Sequence, residues 1–210
     1  MESTKVSKKL LNRLPGYLNH LKSLPAESEN VSAASIARAL GLGEVQVRKD
    51  LAKISNTGRR RTGRCREKLI LDIEKYLDFA SETGTIIVGA SKLGTALLDY
   101  DGFDEAGLNV MACFDLQPGQ DQTERGKPIY PMTRLETFCK RYEVRIGIIA
   151  VPADFAQDAC DSLVACGVEA IWNFAPVLLR VPDHVVIKHE NLALSLTGLR
   201  MQLKSQEKQA

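Results

Sequence analysis

Apolar residues recur along positions 7–24 at Leu10, Leu11, Leu14, Tyr17, Leu18 and Leu21, the three-and-four spacing of an amphipathic helix. Pro15 falls inside this run, so the helix is expected either to kink there or to start afresh. A polar stretch, Pro25 to Asn30, leads to a small-residue helical run from Ala33 to Leu40, with Ser32 placed to cap it. Gly41-Leu42-Gly43 makes a tight turn, and Glu44 to Ile54 (EVQVRKDLAKI) predicts another helix. That helix is expected to bury Val45, Leu51 and Ile54 and to turn Gln46, Arg48, Lys49 and Lys53 outward. Two short helices across a glycine turn describe a helix-turn-helix. After it, Gly58 and Gly63 bracket Arg59, Arg60 and Arg61, which reads as the β-hairpin wing of a winged helix; a disordered basic loop is the plainer alternative. Residues 68–80 (KLILDIEKYLDFA) form an amphipathic helix leading out of this region.

From Thr85 the period changes. Thr85-Ile86-Ile87-Val88 is a short, β-branched apolar run that suits a buried parallel strand. Gly89, Ala90, Ser91, Lys92, Leu93 and Gly94 follow, and helix formers run on to Tyr100. A second strand, Val110 to Phe114, ends in Asp115. Strand, glycine turn, helix, strand and acid outline a dinucleotide-binding βαβ unit. In such a unit a pyrophosphate meets the free N–H groups at the helix start, and the acid accepts from a ribose hydroxyl. The fingerprint has Ser91 where its middle glycine belongs, so a purely structural βαβ unit is the competing reading.

The alternation continues to the end of the chain. Lys127 to Tyr130 is a possible short strand, 133–142 a helix, Ile146 to Val151 a strand ending at Pro152, and 153–166 a helix closed by Gly167. Glu169 to Phe174 and Val185 to Ile187 are further strands. This pattern predicts a doubly wound parallel sheet, with ligands at the carboxyl ends of its strands. Those ends are Gly89, Asp115, Val151-Pro152 and Asn173-Phe174-Ala175-Pro176. The last helix, 190–204, carries Leu192, Leu196, Leu199 and Leu203 on one face, expected either in the core or against a second subunit.

Charge divides the chain at the same place as the pattern. Residues 1–68 hold 15 Lys+Arg and 6 Asp+Glu, a net of +9, whereas 69–210 hold 13 and 20, a net of −7. A basic head on an acidic body points the head at a polyanion. No apolar run approaches the ~18 residues of a membrane span, and the N-terminus lacks the pattern of a signal peptide, so the cytoplasm is the expected compartment. The five cysteines (Cys65, Cys113, Cys139, Cys160, Cys166) contain no CxxC pair, and with His20, His184 and His189 they do not supply the spacing of a zinc site. They are expected to be reduced, mostly core, thiols.

Several stretches together resemble the Rex redox-sensing transcriptional repressors of bacteria. They are RLPGYLNHL, QVRKDL, the segment Gly58 to Gly63, IIVGASKLGTALLDY, FD, IIAVPADFAQDACDSL and IWNFAPVLLRVP, which span nearly the whole chain. The resemblance implies an α/β protein with an N-terminal winged-helix domain (1–80), a Rossmann-like NAD(H)-binding domain (81–190) and a C-terminal dimerisation helix (191–210) that swaps between subunits. It implies a homodimer that binds an inverted repeat of double-stranded operator DNA and releases it when NADH replaces NAD⁺. Carried over, the DNA-facing residues are Ser32, Ser35, Gln46, Arg48, Lys49, Arg59, Arg60 and Arg61. The cofactor residues are Gly89 to Gly94 and Asp115, with Val151, Pro152, Asn173, Phe174, Ala175 and Pro176 toward the nicotinamide. Arg13 and Tyr100 match two members of a polar network that couples domain angle to ligand.

Three positions depart from the family. Ser91 replaces a glycine, Arg64 stands where the wing usually has tyrosine, and Asn191 stands near a usual aspartate of the Arg–Tyr network. An asparagine cannot supply the negative charge that would pair with Arg13. The departures touch ligand binding and coupling, while the DNA-reading residues are largely intact. Three functions are therefore carried forward: a repressor sensing the NADH/NAD⁺ ratio; a Rex-like repressor with a weakened or lost cofactor response; and an NAD-dependent oxidoreductase with a basic appendage, for which no histidine falls at a strand end.

Overall fold

A computed structural model describes residues 8–25, 28–55, 63–77, 83–105 and 108–207. The chain divides into two compact units, Met1–Ser81 and Glu82–Ala210.

The head opens with α1 (Lys8–Leu11) and α2 (Leu14–Ser23). Pro15 lies in the first turn of α2, where its missing N–H costs nothing, so the proline starts a helix rather than kinking one. Strand β1 (Asn30–Val31) precedes α3 (Ala33–Leu40), and Gly43 leads into α4 (Glu44–Ile54). Ser32 and Ser35 form a reciprocal capping box at the start of α3. Strand β2 (Arg64–Cys65) pairs antiparallel with β1, Val31 opposite Arg64, and α5 (Arg66–Tyr76) follows. Leu14, Tyr17, Leu21, Ile36, Val47, Leu51, Leu69 and Ile73 are fully buried and bind the helices into one core. Val45 was expected in that core but is 63% exposed, and Val47 is buried instead. Both are apolar on α4; the packing partners α3 and α5 select the face that contains Val47, Asp50 and Leu51.

In the body, six parallel strands lie in the order β5-β4-β3-β6-β7-β8. These are β3 (Gly84–Val88), β4 (Asn109–Asp115), β5 (Ile129–Pro131), β6 (Val144–Ile149), β7 (Ala170–Asn173) and β8 (Val186–His189). Every residue of β3 is buried, as a central strand covered on both faces requires. Ile86, Val88, Ala112, Phe114 and Ile149 pack on one face under α8 (Leu135–Tyr142) and α9 (Ala153–Ala165). Ile87, Val110, Cys113 and Ile148 pack on the other with Leu98 of α6 (Lys92–Leu98) and Phe103 of α7 (Asp101–Glu105). The chain runs from β3 outward to β5 and returns to β6 on the other side of β3. The switch point therefore lies between the carboxyl ends of β3 and β6, where α/β sheets bind ligands.

The final helix, α10 (Leu192–Glu207), leaves Leu192, Leu194, Leu196, Leu199, Met201 and Leu203 all more than half exposed. Within a single chain these leucines are not core residues. Among the described residues, no helix is long and apolar enough to cross a membrane, and no group of three or more His, Cys, Asp or Glu could hold a metal ion.

Candidate functional site

Backbone geometry builds the site in the body. Hydrogen bonds carry the ladder one residue past the strands: Gly89 N donates to Phe114 O at 2.7 Å, Ala150 N to Val88 O at 2.8 Å and Phe174 N to Ile149 O at 2.9 Å. Gly89 turns the chain at φ +109°, a conformation that L side chains rarely adopt, and a Cβ there would sit 2.6 Å from Ala150 O. Gly94 lets the first turn of α6 close on that bend, since a Cβ at Gly94 would lie 1.8 Å from Gly89 O. The two glycines are thus demanded by contact distances, as the third-glycine role in the fingerprint requires.

Ser91 caps α6. Its hydroxyl accepts from Gly94 N at 3.4 Å and donates to Ala150 O at 3.1 Å, and its backbone is extended at φ −67°, so this position needs no glycine on conformational grounds. The hydroxyl is engaged inside the protein and ties the turn across the switch point to β6. Asp115, at the end of β4, accepts from Ala90 N (2.7 Å) on one oxygen and from Gln117 N (2.9 Å) on the other. It braces the turn as well as offering charge. Ala90 and Leu93 are half-buried and Lys92 is exposed.

On the far side of the cleft, Val151 packs partly against the core and Pro152 caps α9. Asn173 is fully buried, and its amide bonds the following loop and sits 3.1 Å from Nδ1 of His189, a histidine that, against expectation, ends a strand, β8. Nδ2 donates to Val177 O at 2.8 Å and Ala175 O at 3.2 Å, and Oδ1 accepts from Ala175 N at 2.9 Å. Sequence reasoning counted Asn173 among residues near a cofactor; its side chain also braces the Phe174-Ala175-Pro176 turn. Ala175 is also buried and Pro176 exposed. Burial, then the charge of Asp115, pushes the Cys113 thiol up to about 12, and burial, then Cys166, pushes that of Cys139 up to about 12.

In the head, α4 presents Gln46, Arg48 and Lys49 to solvent. Arg48 pairs with Glu44 one turn earlier. Ser32 and Ser35 are exposed, but their hydroxyls serve the capping box. Arg59, Arg60 and Arg61 lie outside the described residues. Arg64, at the wing base, donates to Ser55 O at 2.7 Å.

The residue that sequence reasoning missed is Asp50. It is 2% exposed, and Arg13 grips it with Nε and Nη2 at 2.8 and 3.0 Å while Tyr17 donates its hydroxyl at 2.8 Å. Burial pushes the Asp50 carboxyl up, but hydrogen bonds from Arg13, Tyr17 and Gln46 together hold it below its ordinary value. The same burial, then Asp50, pushes Tyr17 up to about 12. Arg13 therefore has a carboxylate partner inside the head, separate from any that position 191 would supply. The i,i+4 spacing of Gln46 and Asp50 was the available signal. Asn191 itself accepts from Leu194 N at 2.9 Å at the start of α10, and Tyr100 is exposed, edge-on to Phe103 at 5.2 Å.

Two family models match the chain: "CoA binding domain" over residues 80–177 and "Putative DNA-binding protein N-terminus" over residues 5–52. A redox-sensing transcriptional repressor Rex of Treponema denticola is 38% identical over 202 residues, covering 92% of this chain and 94% of the relative. One from Pelotomaculum thermopropionicum is 38% identical over 216 residues and covers all of both chains. RSP, a Rex-family repressor, solved with β-NAD⁺ and operator DNA, superposes at a TM-score of 0.87 with 32% identity over 98% of this chain and 95% of that one. Its complex with β-NADH gives 0.86 at 32% identity, over 98% and 97%.

Proposed function

The chain belongs to the Rex family of redox-sensing transcriptional repressors, and from that premise we propose that it represses transcription by binding operator DNA, with its hold on DNA governed by the NADH/NAD⁺ ratio. The observation that carries the cofactor half is the closure of Gly94 on Gly89 at the sheet's switch point, which only glycines permit. Residues 89–94 and Asp115 fit a dinucleotide. Ser91, Lys92 and Leu93 would bring backbone N–H groups to a pyrophosphate while Asp115 holds the Ala90 N–H, Asp115 would also take a ribose hydroxyl, and Val151, Pro152, Ala175 and Pro176 would flank the nicotinamide. When bound, the nicotinamide supplies the redox signal; no residue here needs to react with it.

The DNA half rests on the exposed Gln46, Arg48 and Lys49 of α4 and on the +9 charge of residues 1–68. Arginine and lysine suit guanine edges or phosphates, and glutamine suits adenine. The arginines 59–61 complete the reading as wing residues for the minor groove. We assign α10, with its exposed leucines, to the contact between two subunits of a homodimer, exchanged between them, because an uncovered apolar face of this length calls for burial. A role on operator DNA agrees with the cytoplasm as its compartment. The oxidoreductase alternative is set aside, since the relatives are transcriptional repressors.

A ligand can shift DNA affinity only by its discrimination between two states of the protein. The test is fluorescence anisotropy of the full chain on a labelled inverted-repeat duplex. Micromolar NADH is expected to release the duplex, and NAD⁺ to oppose that release. Binding that ignores both nucleotides refutes redox control and leaves DNA binding standing. A second reading, a weakened response, is favoured by Ser91: its hydroxyl already occupies the Gly94 N–H. Under it, Ser91→Gly raises NADH affinity several-fold by calorimetry; an unchanged or lower affinity removes it.

A further inference from the structure

Asp50 takes two donors on each oxygen. Arg13 Nε and the Tyr17 hydroxyl, both at 2.8 Å, meet Oδ2, while Arg13 Nη2 at 3.0 Å and Gln46 Nε2 at 2.8 Å meet Oδ1. An ionised carboxylate only accepts and has about four lone-pair sites, so this set is full. The orientation of Gln46 follows from that charge. Only the NH₂ end of its amide can face Asp50; the reverse orientation would set Oε1 against a buried carboxylate. Oε1 is the other branch of the same amide, on a residue exposed at the surface of α4.

Glutamine is otherwise ambidextrous toward bases. Turned one way it accepts from the exocyclic amine of adenine or cytosine, and turned the other it donates to the keto oxygen of guanine or thymine. We infer that Asp50 is a positioning residue for DNA specificity: it holds the Gln46 amide with Oε1 outward, so that this position of the recognition helix selects an amino base, adenine or cytosine, over a keto base. The inference rests on α4 being the helix that reads DNA. Arg13 and Tyr17 enter as the supports of Asp50, linking α2 to a base contact made from α4. The orientation is set before DNA arrives, so no rotamer has to be chosen on binding.

The experiment uses the full-length chain and a pool of duplexes carrying every base pair at each position of the half-site, with the bound fraction sequenced. Gln46→Ala identifies the base pair that Gln46 reads, as the position whose preference it flattens. There the wild type is expected to favour the amino bases on one strand by roughly 5- to 150-fold. Replacing that base by its analogue without the exocyclic amine (purine for adenine, 2-pyrimidinone for cytosine) should cost a similar factor. Asp50→Asn, whose amide can face Gln46 either way, should reduce the preference at that pair to under about threefold and leave the other positions as in wild type. The exchanged pair Asp50→Asn with Gln46→Glu, acceptor-only at position 46, should restore it. Retention of the preference in a folded Asp50→Asn overturns the inference, as does full binding of the amine-free duplex by wild type. If Asp50→Asn does not fold, the amine-free duplex decides. A wild type that binds none of the pool refutes DNA binding itself, a separate failure.

Discussion

Gly94→Ala is the sharpest perturbation of the nucleotide cleft. The added Cβ would lie 1.8 Å from Gly89 O and 3.0 Å from Gly89 C, both backbone atoms of the turn. No rotamer change relieves such a contact. The α6 start or the Gly89 bend must move about 1.2 Å even to reach the 3.0 Å limit that real Cβ atoms respect. Overpacking of this kind costs about 1–3 kcal/mol, offset in part by the ~1 kcal/mol helix preference of alanine over glycine. The net loss is up to about 2 kcal/mol, a fall in Tm of up to roughly 8 °C for a domain of this size. The moved segment carries residues 90–93, and a displacement near 1 Å is enough to cost NADH at least about tenfold in affinity. Thermal denaturation by circular dichroism and calorimetric titration of NADH read the two effects. Gly16→Ala serves as the control, because a Cβ there meets nothing within 4 Å, and it should leave both unchanged or raise head stability by about 0.5 kcal/mol. A Gly94→Ala protein with wild-type Tm and wild-type NADH affinity would refute the argument that contact distance demands this glycine.

Tyr17 stays protonated in the folded head up to about 12, against 10.0 for an ordinary tyrosine, so its contribution is whole below pH 10 and drains away between pH 10 and 12. Urea unfolding across that window should show Tyr17→Phe losing stability less steeply than wild type; parallel curves would remove Tyr17 as the cause. Asp50, held below its ordinary value, acts oppositely: its contribution is present above about pH 4 and is lost as acid protonates it in the fold, which a shallower acid transition in Asp50→Asn would register. Asp115→Ala leaves the N–H groups of Ala90 and Gln117 without their acceptor and should lower NADH affinity by about tenfold in calorimetry, with wild-type affinity counting against the brace. Leu196→Asp with Leu203→Asp should convert a dimer into a monomer by light scattering and weaken operator binding; an intact dimer would place the subunit contact elsewhere than α10.

The features legible in the sequence were those whose causes are local. Ser32 caps α3 because a hydroxyl three residues before an N–H reaches it whatever surrounds them; Pro15 left two outcomes open, and the fold decided for a helix start. The alternation of strands and helices implied a parallel sheet, and the order of the runs then placed Gly89 and Asp115 at carboxyl strand ends. Distances across the chain decided the rest. Val45 and Val47 are equally apolar, and packing against α3 and α5 determines which of them is buried. Asp50 is tolerated in the head because Arg13, 37 positions earlier, neutralises it. Ser91 read as a departure from the glycine fingerprint, and the fold adds that its hydroxyl ties the glycine turn to Ala150, 59 residues on, just past β6. Asn173 read as a residue near the ligand, and the fold adds that its buried amide also braces the loop that follows and meets His189 Nδ1. Spacing along a chain specifies which face or turn a residue occupies, but a polar side chain's role depends on which donor or acceptor the fold brings within about 3 Å of it, and only tertiary structure sets that distance.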